Sequence, residues 1–123
     1  MLTEADILDA LRDCYDPDIP LNIVDLGLVQ AITIQPELDV PGIGIAGVPL
    51  KQRVSIVLTP TNPTESAGDQ LSAQIANRFA GIETVSRTTI TLIPEPRWTP
   101  RNITPAGRRM LGLEGNSSLV QIR

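Results

Sequence analysis

Apolar residues recur at helical spacing near the start of the chain. Ile7, Leu11, Cys14 and Tyr15 fall at i, i+4, i+7 and i+8, which predicts a helix over residues 3–15. Thr3 supplies a cap, and Asp6 three positions on makes a shorter-armed capping box. Asp16-Pro17 stops it, because proline pushes the preceding residue out of the α region. An acidic, proline-bearing loop runs from Asp16 to Asp25, and the period then changes to two. Leu28, Ile32 and Ile34 share one parity and predict a strand over Leu28–Ile34; Val54, Ile56 and Leu58 predict a second over Val54–Thr59. Asn62-Pro63-Thr64-Glu65 reads as a helix start, with Asn at N-cap, Pro at N1 and Glu at N3. The apolar face of that helix is Ala67, Leu71, Ile75 and Phe79, with Gly81 as its C′ residue. Thr84–Ile93 is a third strand, with Ile90 and Leu92 its clearest buried pair. Pro94, Pro96 and Pro100 stiffen a connector that carries Trp98, and Thr104-Pro105 opens a short last helix ended by Gly112.

The order is α-β-β-α-β-α. Two strands joined by a hairpin-type connection pair antiparallel, and two joined through a helix pair parallel with a right-handed crossover. The expectation is a compact two-layer α/β (α+β) domain: a small mixed three-stranded sheet with helices on one face. The domain spans 1–112, with a polar tail over 113–123 in which Leu119, Val120 and Ile122 form a weak strand pattern. Residues 36–51 interrupt it with three Pro and three Gly among Ile43, Ile45, Val48 and Leu50. A hairpin arm, a flap and a plain surface insertion all fit; the last is favoured because long loops add little closure entropy.

Composition removes whole classes of function. The 123 residues carry 10 Lys+Arg against 14 Asp+Glu and hold no His and one Cys. Without His there is no Ser-His-Asp or Cys-His catalysis and no imidazole ligand. One Cys forbids an intrachain disulfide and a Cys₄ site within one chain. An acidic balance with three aromatics and no basic block speaks against nucleic acid. Acids near the start stand where a signal peptide has its basic segment, and no apolar run approaches a membrane span of about 18 residues. A cytoplasmic domain without membrane contact is expected.

Four carboxylates lie close in sequence, Asp13, Asp16, Asp18 and Asp25. Clustered oxygens suit a hard cation, but the spacing is not that of a calcium loop. Turn chemistry favours Asp16 and Asp25 as acceptors for loop amides, with Asp13 and Asp18 solvated. Cys14, on an apolar face near a helix C-terminus and beside acids, reads as a small buried hydrophobe. Asn62 stands between a strand end and a helix start, where free amides favour an anion; a Cys there would have a lowered pKa. Thr61 and Ser66 have no base near them in sequence. Trp98 either anchors a partner or, the favoured reading, covers the small core and pins the proline connector.

The segment Tyr15-Asp16-Pro17-Asp18-Ile19-Pro20-Leu21-Asn22-Ile23-Val24-Asp25-Leu26-Gly27-Leu28-Val29 resembles the signature of the MIP18-like (DUF59) family, which includes SufT-type and PaaD-like iron–sulfur assembly proteins. Trp98-Thr99-Pro100, with Ala106 and Met110-Leu111-Gly112-Leu113, resembles that family's C-terminal motif. The resemblance implies a non-enzymatic factor that assists cluster assembly or transfer through protein contacts. Many members have a Cys before a Pro in the loop after the second strand; here Thr59-Pro60-Thr61-Asn62-Pro63 falls on that loop and Asn62 takes the place of the Cys. The implied signature positions are Asp16, Pro17, Asn22, Asp25, Gly27, Thr59, Asn62 and Trp98. The implied partners are iron–sulfur scaffold or client proteins. No cofactor is expected in the single chain, iron or a cluster being held only transiently or with a partner. A divergent, metal-independent interaction module is the alternative that Asn62 and the insertion suggest. An exposed sheet edge leaves room for a homodimer.

Overall fold

A computed structural model describes residues 2–37, 51–62 and 64–112. Its elements are α1 (Glu4–Leu11), β1 (Val29–Pro36), β2 (Gln52–Leu58), α2 (Glu65–Ala80), β3 (Val85–Leu92), a 3-10 turn (Pro100–Asn102) and α3 (Pro105–Met110). The strands form one sheet in the order β1-β2-β3, with β1 antiparallel and β3 parallel to β2. This is the expected mixed sheet of an α+β domain.

The central strand shows why the chain folds this way. Along β2, Val54, Ile56 and Leu58 are fully buried while Arg53, Ser55 and Val57 between them are only half-buried. The period of two sends the first set under the helices and leaves the second on the open face. Ile7 and Leu11 of α1 and Leu71, Ile75 and Phe79 of α2 close on that inner face. Each such side chain contributes roughly 1.5–3 kcal/mol by burial. Ile32, Ile34, Ile90 and Leu92 are buried only in part, because β1 and β3 are edge strands. The outer face is short and polar: Thr33, Gln35, Thr89 and Thr91 are exposed.

Several boundaries differ from the pattern. The first helix has the capping box of Thr3 and Asp6 but ends at Leu11, not at residue 15. Its last turn tightens, as Asp13 and Cys14 donate to the carbonyls of Ala10 and Leu11 three residues back. The chain is then captured as an extended segment: Ile23 donates to the Cys14 carbonyl, and Tyr15 bridges to Asn22. Cys14 stays buried, whereas Tyr15 is 51% exposed and leaves the apolar face that the periodicity assigned to it. The first strand runs Val29–Pro36, starting after Leu28 with an irregular register between Val29 and Ala31. The second spans Gln52–Leu58 and leaves Thr59 just beyond it, and the third spans Val85–Leu92. The hairpin pairs as far as Glu37, which donates to Lys51. The rest of the insertion (38–50) and the tail (113–123) lie outside the described residues.

The cap of α2 is Thr64, not Asn62. The Thr64 hydroxyl accepts from Ala67 N–H, and Glu65 is the first helical residue. Gly81 ends α2 at φ −80, so no left-handed residue is required there. The last helix follows the pattern: Thr104 caps α3, and Gly112 follows it at φ +74.

Candidate functional site

The acidic loop is a small closed ring built from its own polar side chains. Asp16 Oδ1 accepts from the amides of Asp18 (2.7 Å) and Ile19 (2.9 Å), and Asp16 N–H reaches the Leu21 carbonyl. That turn presents Pro17, Asp18 and Pro20 to solvent. The other carboxylate oxygen, Oδ2, accepts from the Thr61 hydroxyl at 2.7 Å, 45 residues away in sequence. Asp16 therefore ties the loop to the strand-to-helix connection that follows β2. Asn62 lies next on that connection, partly exposed, and its Oδ1 accepts the Thr64 N–H at 3.2 Å. Asp16, Thr61 and Asn62 form a rim at the end of the central strand.

α2 supports this rim from behind. The Gln74 side chain takes both backbone groups of Tyr15, its Oε1 accepting from Tyr15 N–H (2.7 Å) and its Nε2 donating to the Tyr15 carbonyl (2.9 Å). It acts as a one-residue substitute for a neighbouring strand and holds an exposed aromatic ring in place. Asp13, expected to be solvated, pairs instead with Arg78 at 2.9 Å. Both partners are more than a third exposed, so the pair adds little.

The far end of the loop is different. Asp25 is buried, and its carboxylate accepts from Asn22 Nδ2 (2.7 Å) and from the Thr104 hydroxyl (2.9 Å). These donors are side chains, where loop amides were expected. Asn22 Oδ1 in turn accepts Asp25 N–H, and the Asp25 carbonyl accepts Thr104 N–H at 2.8 Å. Thr104 also caps α3. A Cβ on Gly107 would stand 2.9 Å from the Asp25 carbonyl oxygen, so α3 sits directly on the loop. Gly27 has φ +79, and a Cβ there would collide with the Asn102 carbonyl; only glycine fits. Trp98 packs on the core and its Nε1 donates to the Leu26 carbonyl at 2.6 Å, which fixes the proline connector to the same loop.

The eight signature positions therefore divide. Asp16, Pro17, Thr59 and Asn62 lie at the rim end, and Asn22, Asp25, Gly27 and Trp98 form a latch to the C-terminal segment. Thr59 is buried beside the rim, its N–H donating to Leu28; its hydroxyl has no partner among the described residues. Sequence reasoning missed Gln74, and it treated Thr61 only as a nucleophile without a base and Thr104 only as a helix start. Their partners lie 59, 45 and 79 residues away, beyond any local signal.

The site offers little to a metal. The single Cys of the chain, Cys14, is fully buried. Burial pushes its thiol pKa up, Arg78 opposes that, and Asp13 adds to it. Among the described residues no three His, Cys, Asp or Glu side chains are grouped to hold an ion. Nor, among them, is any helix long and apolar enough to cross a membrane.

A family model described as iron-sulfur cluster assembly protein matches residues 4–92, most of the chain and all of the acidic loop and rim. The chain belongs to that family. The match ends before Trp98 and α3, so the latch partners lie beyond it. This family member is 32% identical over 96 residues to an Fe-S protein maturation auxiliary factor of Porphyromonas gingivalis, covering 78% of each chain. It is similar in structure to a DUF59 domain from Bacillus anthracis (TM-score 0.68, 20% identity, 89% and 92% of the two chains covered). A Mycobacterium tuberculosis protein described as associated with [Fe-S] complex assembly and repair matches at TM-score 0.51 and 29% identity, over 89% and 84% of the two chains. The family is linked to the assembly and maturation of iron–sulfur clusters.

Proposed function

We propose that this chain is a non-enzymatic accessory factor in iron–sulfur cluster assembly or transfer in the cytoplasm, working by docking onto scaffold or client proteins. One observation carries this reading: the partly exposed Asn62 accepts the Thr64 amide where the family resemblance puts a cysteine, beside the Asp16–Thr61 tie. A neutral amide there keeps the hydrogen bond and supplies no thiolate. With no His and one buried Cys, the chain has no donor set for a cluster of its own. Iron or a cluster is then cargo met at a partner's surface, and the rim, with the clamped Tyr15 and the exposed Asp18, is what the partner touches. Residues 1–112 act as the single functional domain, and the 36–51 insertion is an addition to it.

Affinity capture from a cytosolic extract tests this, with the wild-type chain and an Asp18→Lys variant as baits. Recovery of cluster scaffold or cluster-bearing client proteins by wild type, and their loss with the variant, is the expected result. Folded wild-type bait that recovers none of them supports instead a metal-independent interaction module, the second reading that the loss of the thiol favours.

A further inference from the structure

At the opposite end of the sheet from the rim, a groove of about 230 Å³ opens between the C-terminal half of α2 and the first half of β3. Ala76 and Ala80, one helical turn apart, carry too little side chain to fill the space against Val85, Arg87 and Thr88; buried Phe79 is its floor. A bulge helps to open it: Gln52 faces Val85 and Arg53 faces Arg87, so Ser86 is the extra residue. The Ser86 hydroxyl is turned inward, within 3.1 Å of Glu37 Oε2 and 3.2 Å of the Gln52 carbonyl.

Two further observations say what would fit there. First, among the described residues β3 is the last strand of the sheet, so one of its edges has no described strand beside it. Ile93 N–H donates to the Leu58 carbonyl on β2, and strand alternation turns the amides of Thr88, Ile90 and Leu92 toward the open edge. No Pro or Lys guards it; the strand's one charge is Arg87. The other edge strand, β1, ends in Pro36, and none of its residues lines the groove. Second, the charge is unbalanced. Exposed Arg87 has no hydrogen-bond or ion-pair partner among the described residues and is paired in register with Arg53. Arg53 Nε lies 3.9 Å from the Glu37 carboxylate, and among the described residues no carboxylate pairs with Arg87. Glu83, in the preceding turn, does not line the groove.

We infer that the β3 edge and this groove form a second docking surface, for an extended peptide segment of a partner protein that carries an acidic residue next to an apolar one. The segment adds as a fourth strand along Thr88–Leu92, seats its apolar side chain over Phe79 between Ala76 and Ala80, and sets its carboxylate on Arg87. Main-chain bonds supply affinity, and the groove and Arg87 supply selectivity. A seven-residue β2 separates this surface from the rim by roughly 20 Å. It stands whether or not the rim docks a cluster protein.

The test is a titration of the full-length ¹⁵N-labelled chain with two synthetic hexapeptides, followed by amide chemical shifts. One has the sequence valine-aspartate-valine-threonine-valine-threonine, and the other has lysine for aspartate. The aspartate peptide is expected to shift the amides of β3 and of Ala76–Ala80 and to bind more tightly than the lysine peptide. Arg87→Glu, at an exposed site, should weaken the aspartate peptide by roughly tenfold and reverse the preference. Ala80→Leu, which fills the groove, should weaken both while the remaining spectrum stays native. Equal affinity for both peptides, shifts confined to β1 or to the rim, or no shift at millimolar peptide would each overturn the proposal. So would β3 shifts that depend on protein concentration without peptide, which would assign the edge to a second copy of this chain.

Discussion

Asp16 and Asp25 belong to one loop and each accepts hydrogen bonds at both carboxylate oxygens, yet their surroundings differ. Asp25 meets the buried Asn22 of its own loop and the half-buried Thr104 that caps α3, and Trp98 and Gly27 close the same contact. Asp16 holds the partly buried turn amides of Asp18 and Ile19 and spends its second oxygen on Thr61, next to Asn62. The difference separates what the acidic motif does for stability from what it offers a partner. Both carboxylates are buried, but the Asn22–Asp25 bond is fully enclosed, whereas the bonds to Asp16 are only partly so, and water replaces a lost acceptor more readily there. The latch holds the fold together, and on the function proposed above the rim is the face that a partner meets.

The sharpest attempt to break that division is at the latch. Gly27→Ala puts a Cβ into the Asn102 carbonyl at positive φ and should cost at least about 3 kcal/mol in urea unfolding. Asp25→Ala leaves Asn22 Nδ2 and the Thr104 hydroxyl without their acceptor and should cost about 2–3 kcal/mol. Asp16→Ala comes next, at about 1–2 kcal/mol, because its amide donors are near solvent. Asp18→Ala, whose carboxylate has no partner among the described residues, should stay within about 0.5 kcal/mol of wild type. Equal losses of stability at Asp25 and Asp18 would erase the distinction between latch and rim.

A smaller effect concerns Cys14, which is buried in the core just before the loop. Its thiol should react with a disulfide reagent only as fast as the chain opens. Because burial raises its pKa in the folded state, the folded chain holds the thiol proton more tightly than the unfolded one. Stability from this source is complete below the ordinary thiol value of 9.0 and falls as pH rises past it. A Cys14→Ala variant should lose that part of the alkaline slope in urea unfolding. Rapid labelling of native protein at neutral pH would place the thiol at the surface and reopen it as a ligand.

Much of the fold was legible because periodicity and punctuation agree. The parity of Val54, Ile56 and Leu58, the face of Leu71, Ile75 and Phe79, and the Thr104-Pro105 start all follow from local sequence and all appear in the structure. The errors arose where several residues competed for one role. Thr61, Asn62 and Thr64 can each cap a helix; Asp16 takes Thr61, Asn62 receives the Thr64 amide, and Thr64 is left to cap α2. The early end of α1 came from Gln74 and Asn22, which draw Tyr15 into extended pairing against the helical spacing of its neighbours. The acidic loop could be recognised as a motif, but its division into latch and rim depends on Thr61 and Thr104, whose proximity only folding creates.

Anaerobic reconstitution with ferrous iron and sulfide, applied in parallel to the wild-type chain and to Asn62→Cys, tests the account most directly. Visible absorption and a metal count after desalting give the readout. Wild type should retain no iron, whereas Asn62→Cys, its new thiolate beside the Thr64 amide, should retain iron in proportion to the thiol added. A cluster chromophore on the wild-type chain alone, or a variant whose thiol titrates ordinarily and retains no metal, would contradict it.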